Sequence, residues 1–136
     1  MTVRQPGESP MRPILAAAAL LPLAACQQQV ERAPVSRAPA IEALGPAENC
    51  IQVRNISSTR VYDDHTIDFE MTGGKTYRNT LPNRCPSLGF EERFGYTVST
   101  GQLCSIDVIH VLYSDGTRGA GCGLGEFLPV RINKRD

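Results

Sequence analysis

The side chains of this 136-residue sequence whose types and spacing could support chemistry fall into two sets. One is its five cysteines, Cys26, Cys50, Cys85, Cys104 and Cys122; the other is a sparse group of acids and imidazoles, Asp63, Asp64, His65, Asp107 and His110. Cys26 stands apart from the rest. It ends the run from Met11 to Cys26, in which one basic residue precedes about ten apolar residues and then Leu23-Ala24-Ala25-Cys26. Such a run is too short to cross a bilayer as a helix, which takes roughly 20 apolar residues. It fits an export signal, with an apolar core of roughly 7 to 15 residues and a small-residue cleavage site. The lead before Met11 is long and of mixed charge, and Met11-Arg12 makes the more ordinary start. Export places the other four cysteines in an oxidising compartment, where an even set reads as two disulfides. No pair has the Cys-x-x-Cys spacing of a redox dithiol, and the closely spaced ligand pairs of zinc or iron–sulfur sites are missing. Three pairings are possible. The preferred one joins Cys85 to Cys104 around a hairpin and Cys50 to Cys122 from first strand to last.

Asp63-Asp64-His65 is the local acid–histidine cluster. A carboxylate can orient an imidazole for acid–base or metal chemistry. The plainer reading is a turn at Asp63-Asp64 with His65 at the mouth of the next strand. A metal would require His65 and His110 to meet in space. Asp107 opens an apolar run and must find Arg84, Arg93 or backbone N–H groups if it is buried. Arg84-Cys85-Pro86 reads as a disulfide cysteine in a proline-stiffened turn rather than a reactive thiol. The glycines around Cys122 lack the Gly-x-Gly-x-x-Gly pattern and the Lys-Ser/Thr of a phosphate cradle. There is no Gly-x-Ser-x-Gly elbow, and Ser57, Ser58, Ser87 and Ser105 have no base beside them in sequence. Loss of residues 1 to 25 removes Arg4, Arg12 and Glu8, leaving 12 basic and 13 acidic side chains of the original 14 and 14. Nucleic-acid binding, which exploits a positive field, is therefore not indicated. No cofactor or metal is indicated either.

The elements that must position these residues read as strands. Ile51 and Val53 alternate with Gln52 and Arg54, and His65, Ile67, Phe69 and Met71 alternate with Thr66, Asp68 and Glu70. Gly73-Gly74 then turns the chain into Lys75–Asn79 with Tyr77 inward, so residues 65 to 80 form a hairpin. Phe94, Tyr96 and Val98 alternate next, and Ser105–Tyr113, apolar on both faces for much of its length, is the candidate central strand. Asp115-Gly116 turns the chain into a bulged glycine-rich segment before Phe127–Val130. Residues 86 to 93 allow one helical turn. The fold class is all-β: a small, disulfide-stapled antiparallel barrel or compact sandwich of about five to seven short strands. The domain runs over residues 49–136, with residues 1–25 as signal. Residues 26–48 are read as a Pro/Ala-rich tether, kept extended by Pro34, Pro39 and Pro46, with room for a helical turn within Ala38–Ala47.

Leu23-Ala24-Ala25-Cys26 resembles the lipobox of bacterial lipoproteins. That resemblance implies cleavage before Cys26, diacylation of its thiol and acylation of the new amino terminus. A plain cleaved signal and an uncleaved anchor are the alternatives. In such lipoproteins an Asp after the cysteine favours inner-membrane retention; Gln27 stands there, which implies the outer membrane with the domain facing the periplasm. Further elements resemble a domain family of unknown function found in uncharacterised proteobacterial lipoproteins. They are Asp63-Asp64-x-Thr66-Ile67-x-Phe69, Gly74-Lys75-x-Tyr77-x-Asn79-x-Leu81, Arg84-Cys85-Pro86-x-Leu88, Leu103-Cys104-x-x-Asp107-x-Ile109 and Cys122-x-Leu124-Gly125-x-Phe127, spread over about residues 50 to 130. This second resemblance implies an exported, cysteine-stapled β domain and carries no activity.

Two functional classes are weighed. The first is a non-catalytic binding or structural module of the cell envelope, held to the membrane by its lipid and meeting an envelope protein or glycan. An exposed patch built from Tyr62, Tyr77, Tyr96 or Tyr113 would favour it. The alternative is a small periplasmic hydrolase or metal-dependent enzyme, which would bring Asp64, His65, Asp107 and His110 into one cleft.

Overall fold

The computed structural model describes residues 36–133 of the chain. Its strands are β1 (Ile41–Ala43), β2 (Cys50–Gln52), β3 (Ile56–Val61), β4 (Thr66–Met71) and β5 (Thr76–Thr80), then the single-turn helix α1 (Leu88–Glu91). After it come β6 (Phe94–Tyr96), β7 (Gln102–Cys104), β8 (Val108–Leu112), β9 (Arg118–Gly123) and β10 (Phe127–Ile132). They form three antiparallel sheets: β1-β10-β5-β4-β3, β2-β7 and β6-β8-β9. The all-β class stands. Of the two architectures expected from sequence, the open sheets match the compact sandwich, not a closed barrel. The strands number ten among the described residues, more than the five to seven expected, because several are only three residues long.

The hairpin of β4 and β5 organises the large sheet. Gly73 and Gly74 have φ of +97° and +87°, a pair of left-handed residues that the turn between these strands requires and that side chains rarely adopt. The register set by that turn places Ile67, Phe69 and Met71 beside Asn79 and Tyr77 on one face. Phe127 of β10 joins the same face opposite Asn79. Phe69 is fully buried, with its ring 5.4 Å from that of Phe127 and 6.1 Å from that of Phe94, which lies in the three-stranded sheet. Ile51 and Leu103 from the two-stranded sheet, Ile109 and Val111 from β8, and Leu88 from α1 complete this core. Edge-to-face aromatic contacts of this kind add to the burial term.

The reverse face of the large sheet is covered as well, a feature the alternation in β4 does not reveal. Asp68 and Arg78 face each other across β4 and β5, and both are buried. Arg78 donates from Nε to Asp68 Oδ1 at 2.7 Å and from Nη2 to Oδ2 at 2.9 Å, a two-pronged pair. Its Nη1 donates to the carbonyl of Pro39 at 2.7 Å, and the guanidinium lies 5.4 Å from the ring of Tyr62. Burial, followed by the negative charge of Asp68, raises the Tyr62 phenol above its ordinary range. Thus two of the residues that alternate with the core positions of β4, Thr66 and Asp68, are buried, with Ser36 against Thr66 and Pro39 bonded to the Asp68 partner Arg78, whereas Glu70 stays partly exposed.

That segment belongs to the region read as tether. Residues 41–43 form no helical turn; they are strand β1, paired with β10 in the register Ile41↔Ile132 to Ala43↔Val130. Glu48 makes an isolated bridge to Phe127, and its carboxylate accepts from the Tyr77 hydroxyl at 2.8 Å and Lys75 Nζ at 3.1 Å. Those bonds, from Tyr77 first and Lys75 second, hold Glu48 below the usual carboxylate range. The domain boundary therefore moves upstream from 49 to at least Ser36. The signal reading of residues 1–25, Cys26 and the first part of the tether lie outside the described residues.

Close backbone approach fixes Gly125. Asn79, fully buried, donates from Nδ2 to the Gly125 carbonyl at 2.6 Å and accepts from Gly125 N–H at 2.9 Å. A Cβ at Gly125 would run into the Thr80 carbonyl oxygen, whereas one at Gly123 would meet nothing within 4 Å. Gly125→Ala is expected to cost about 1–3 kcal/mol by forcing backbone to move. Gly123→Ala should change stability by less than about 0.5 kcal/mol. Denaturant midpoints of the two variants check this contrast.

Candidate functional site

The densest polar cluster is the corner between β3 and β4, where Asp63-Asp64-His65 turns the chain as the sequence suggested. Asp63 Oδ1 accepts from His65 N–H at 2.8 Å, closing an Asx turn. Its Oδ2 accepts from the Ser36 hydroxyl at 2.6 Å and the Arg37 N–H at 3.2 Å. Burial pushes the Asp63 carboxyl upward, but these hydrogen bonds prevail and leave it below its ordinary value. Asp64 turns the other way. Its Oδ1 accepts from Gly89 N–H at 2.9 Å and its Oδ2 pairs with Arg84 at 2.7 Å. Gly89 itself sits against the Asp63 and Asp64 backbone so closely that a Cβ would fall 2.8 Å from Asp63 Cα. Arg37 Nη2 donates to the Gly89 carbonyl at 3.4 Å. His65 Nδ1 lies 3.5 Å from the Leu81 carbonyl. Chemically this corner is a clamp: two carboxylates, each with both oxygens bonded, joining β4, α1 and the incoming chain.

The other sequence candidates lie elsewhere. Asp107 does not reach Arg84 or Arg93; it satisfies itself on the backbone, accepting from Cys104 N–H at 2.7 Å. That bond, with Asp107 N–H donating to the Cys104 carbonyl at 3.0 Å, makes residues 104–107 a tight turn. The expected strand from Ser105 therefore begins only at Val108, and Ile106 stands exposed at the turn. β8 is nevertheless the central strand of its sheet, with β6 and β9 on either side. His110 lies between Gly95 of β6 and Gly121 of β9, directly across from each. A Cβ on Gly121 would come 3.0 Å from the His110 ring. Among the described residues no group of three or more His, Cys, Asp or Glu side chains is arranged to hold a metal ion. Ser57 and Ser58 hydroxyls are spent on the Glu70 carbonyl and carboxylate, at 2.9 and 2.6 Å.

The cysteines form two disulfides, but with the pairing Cys50–Cys104 and Cys85–Cys122, which corrects the preferred one. The topology explains both. β2 pairs with β7, so Cys50 faces Cys104 across the ladder. Cys85 follows β5, is anchored by its N–H on the Asp64 carbonyl at 2.8 Å, and points into the core where Cys122 of β9 meets it. One bond thus staples the small two-stranded sheet, and the other joins the corner clamp to the three-stranded sheet.

The four tyrosines do not assemble an exposed patch. Tyr77 is buried, Tyr62, Tyr96 and Tyr113 are half-buried, and Tyr113 covers Gly119. The large apolar side chains that do face solvent are Leu44, Phe90, Ile106 and Val108. Their exposure depends on tertiary packing, and no sequence period marks it. No protein-family model matches the chain, and neither a curated protein nor a solved structure matches it.

Proposed function

We propose that this chain is an exported bacterial lipoprotein, acylated at Cys26 and held at the outer membrane with its β domain in the periplasm. Its domain acts there as a non-catalytic binding or structural module of the envelope. One observation carries the reading: the division of the five cysteines. Four are consumed in two disulfides, chemistry suited to an oxidising compartment, and the fifth is Cys26, at the end of an apolar run behind Leu23-Ala24-Ala25. A thioether-linked diacylglycerol plus an amino-terminal acyl chain supplies more than one hydrocarbon chain, enough for stable anchoring where a single chain is marginal. The non-catalytic part is supported by the structural contacts of the acids: Asp63 and Asp64 bind backbone N–H groups, the Ser36 hydroxyl and Arg84, and Asp107 binds the Cys104 N–H. With the fold beginning by Ser36, the proposed tether shortens to residues 27–35. Kinship with the proteobacterial lipoprotein family of the sequence motifs is part of this proposal.

Expression of the full chain and of Cys26→Ser in a Gram-negative host, followed by fractionation, tests it. The natural chain is expected in the outer-membrane fraction, released only by detergent. Cys26→Ser should appear in the soluble periplasmic fraction, or as uncleaved precursor. Equal recovery of both, as mature chains, in the outer-membrane fraction would contradict lipid anchoring.

A further inference from the structure

Phe90 is 86 % exposed although its helix neighbours Leu88 and Gly89 are buried. Ile106 is as open, at 89 %, so exposure alone does not distinguish Phe90. Position does. The carbonyl of Gly89, the residue before Phe90, accepts the Arg37 guanidinium, and the Gly89 backbone sits on Asp63, which holds the Ser36 hydroxyl. Ser36, the first described residue on the side of Cys26, is therefore held close to the helix that carries Phe90. From Cys26 to Ser36 is ten residues, a contour of at most about 35 Å whatever its path. Such a lead keeps the domain near the bilayer at an effective concentration in the millimolar range, and an apolar side chain close to Ser36 reaches the surface with the least extension of the lead.

We propose that Phe90 is a membrane-contact residue, its ring entering the boundary between headgroups and acyl chains and holding the exit face of the domain against the bilayer. This rests on the lipid anchor at Cys26. The surrounding charges favour an apolar contact over an electrostatic one. Arg37, Arg84 and Arg93 are outnumbered by Asp63, Asp64, Glu91 and Glu92, and Arg84 is already paired with Asp64. Contact is accordingly insensitive to salt, unlike that of a basic patch on anionic lipid.

The chain has no tryptophan, so Phe90→Trp supplies a single reporter at a site open enough to accept it. The acylated, mature protein carrying Phe90→Trp or Ile106→Trp would be reconstituted into phosphatidylethanolamine–phosphatidylglycerol vesicles, its acylation verified by mass. Expected is a blue-shifted emission at position 90, quenched by bromines set about 5–10 Å below the headgroups and unchanged by high salt. Position 106 should stay water-like. Water-like emission at both positions in acylated protein overturns the proposal while leaving the anchor intact, as does equal quenching at both. Shielding of position 90 in native envelopes but not in vesicles assigns the face to a protein partner and overturns it as well. A mature chain without acyl groups overturns the anchor, and the contact with it.

Discussion

Exchanging Cys85 and Cys122 together for alanine lowers the free energy of unfolding by about 4 kcal/mol. The bond closes a loop of 37 residues, and loop-closure entropy alone gives about that value at 25 °C. The Cys50–Cys104 bond closes 54 residues and carries a similar entropic term, again about 4 kcal/mol. The two are not equivalent in the folded state. Cys85 is fully buried among core residues and its partner nearly so, whereas Cys50 and Cys104 are half-buried on a two-stranded sheet. Loss of the first therefore adds a packing defect and separates the corner clamp from the three-stranded sheet. Loss of the second frees only β2 and β7. A domain of this size is stable by about 5–15 kcal/mol, so either bond accounts for about a quarter or more of the total, and loss of both, about 8 kcal/mol, unfolds a domain in the lower part of that range. Urea titration of oxidised protein and of the two double-alanine variants measures this. A Cys85/Cys122 variant as stable as the natural chain would show that the bond contributes nothing to holding the layers together.

Asp68→Ala should be comparably damaging, at about 3–5 kcal/mol, for a different reason. Arg78 keeps its charge, and with Asp68 gone the buried guanidinium retains only the Pro39 carbonyl and the Tyr62 face. The pair as a whole is another matter. Removing two charges from water costs roughly what their attraction returns, so replacing both partners with apolar residues of similar size is often neutral or better. The expected pattern is therefore a large loss in Asp68→Ala and a recovery of most of it in Asp68→Leu/Arg78→Met. The double variant also drops the hydrogen bond to Pro39, which should loosen residues 36–40 over the sheet and speed amide exchange there. A mild single-mutant effect, or a double variant as unstable as the single, would mean that water reaches this pair.

The same pair shows where the sequence was readable and where it was not. Ile67, Phe69, Met71 and Tyr77 were legible as core because alternation around Gly73-Gly74 sets the hairpin register without help from elsewhere. The turns at Asp63-Asp64 and Asp115-Gly116 and the helical turn within residues 86–93 were legible for the same reason: their chemistry is local. Asp68 looked solvent-facing because what covers it, the backbone at Pro39, comes from 29 residues upstream in a stretch with the composition of a tether. β1, only three residues long and followed by Leu44-Gly45-Pro46, has too few positions to display a period. It becomes a strand because β10 offers it an edge. Disulfide pairing was beyond spacing arguments, since it follows from β2 meeting β7, a long-range choice. Asp107 was identified as needing backbone donors, but not that it would end the preceding strand and throw Ile106 into solvent.

The proposed division of the cysteines, four as structural staples and Cys26 as the site of lipid, is tested most directly by intact mass. The chain would be recovered from the envelope of a Gram-negative host and weighed before and after thiol alkylation under denaturing, non-reducing conditions. The expected result is a mature chain beginning at Cys26, heavier by a diacylglyceryl group and an amino-terminal acyl group, with no thiol open to alkylation. A chain of unmodified mass beginning at any other residue, or one that takes up alkylating agent without prior reduction, would contradict it.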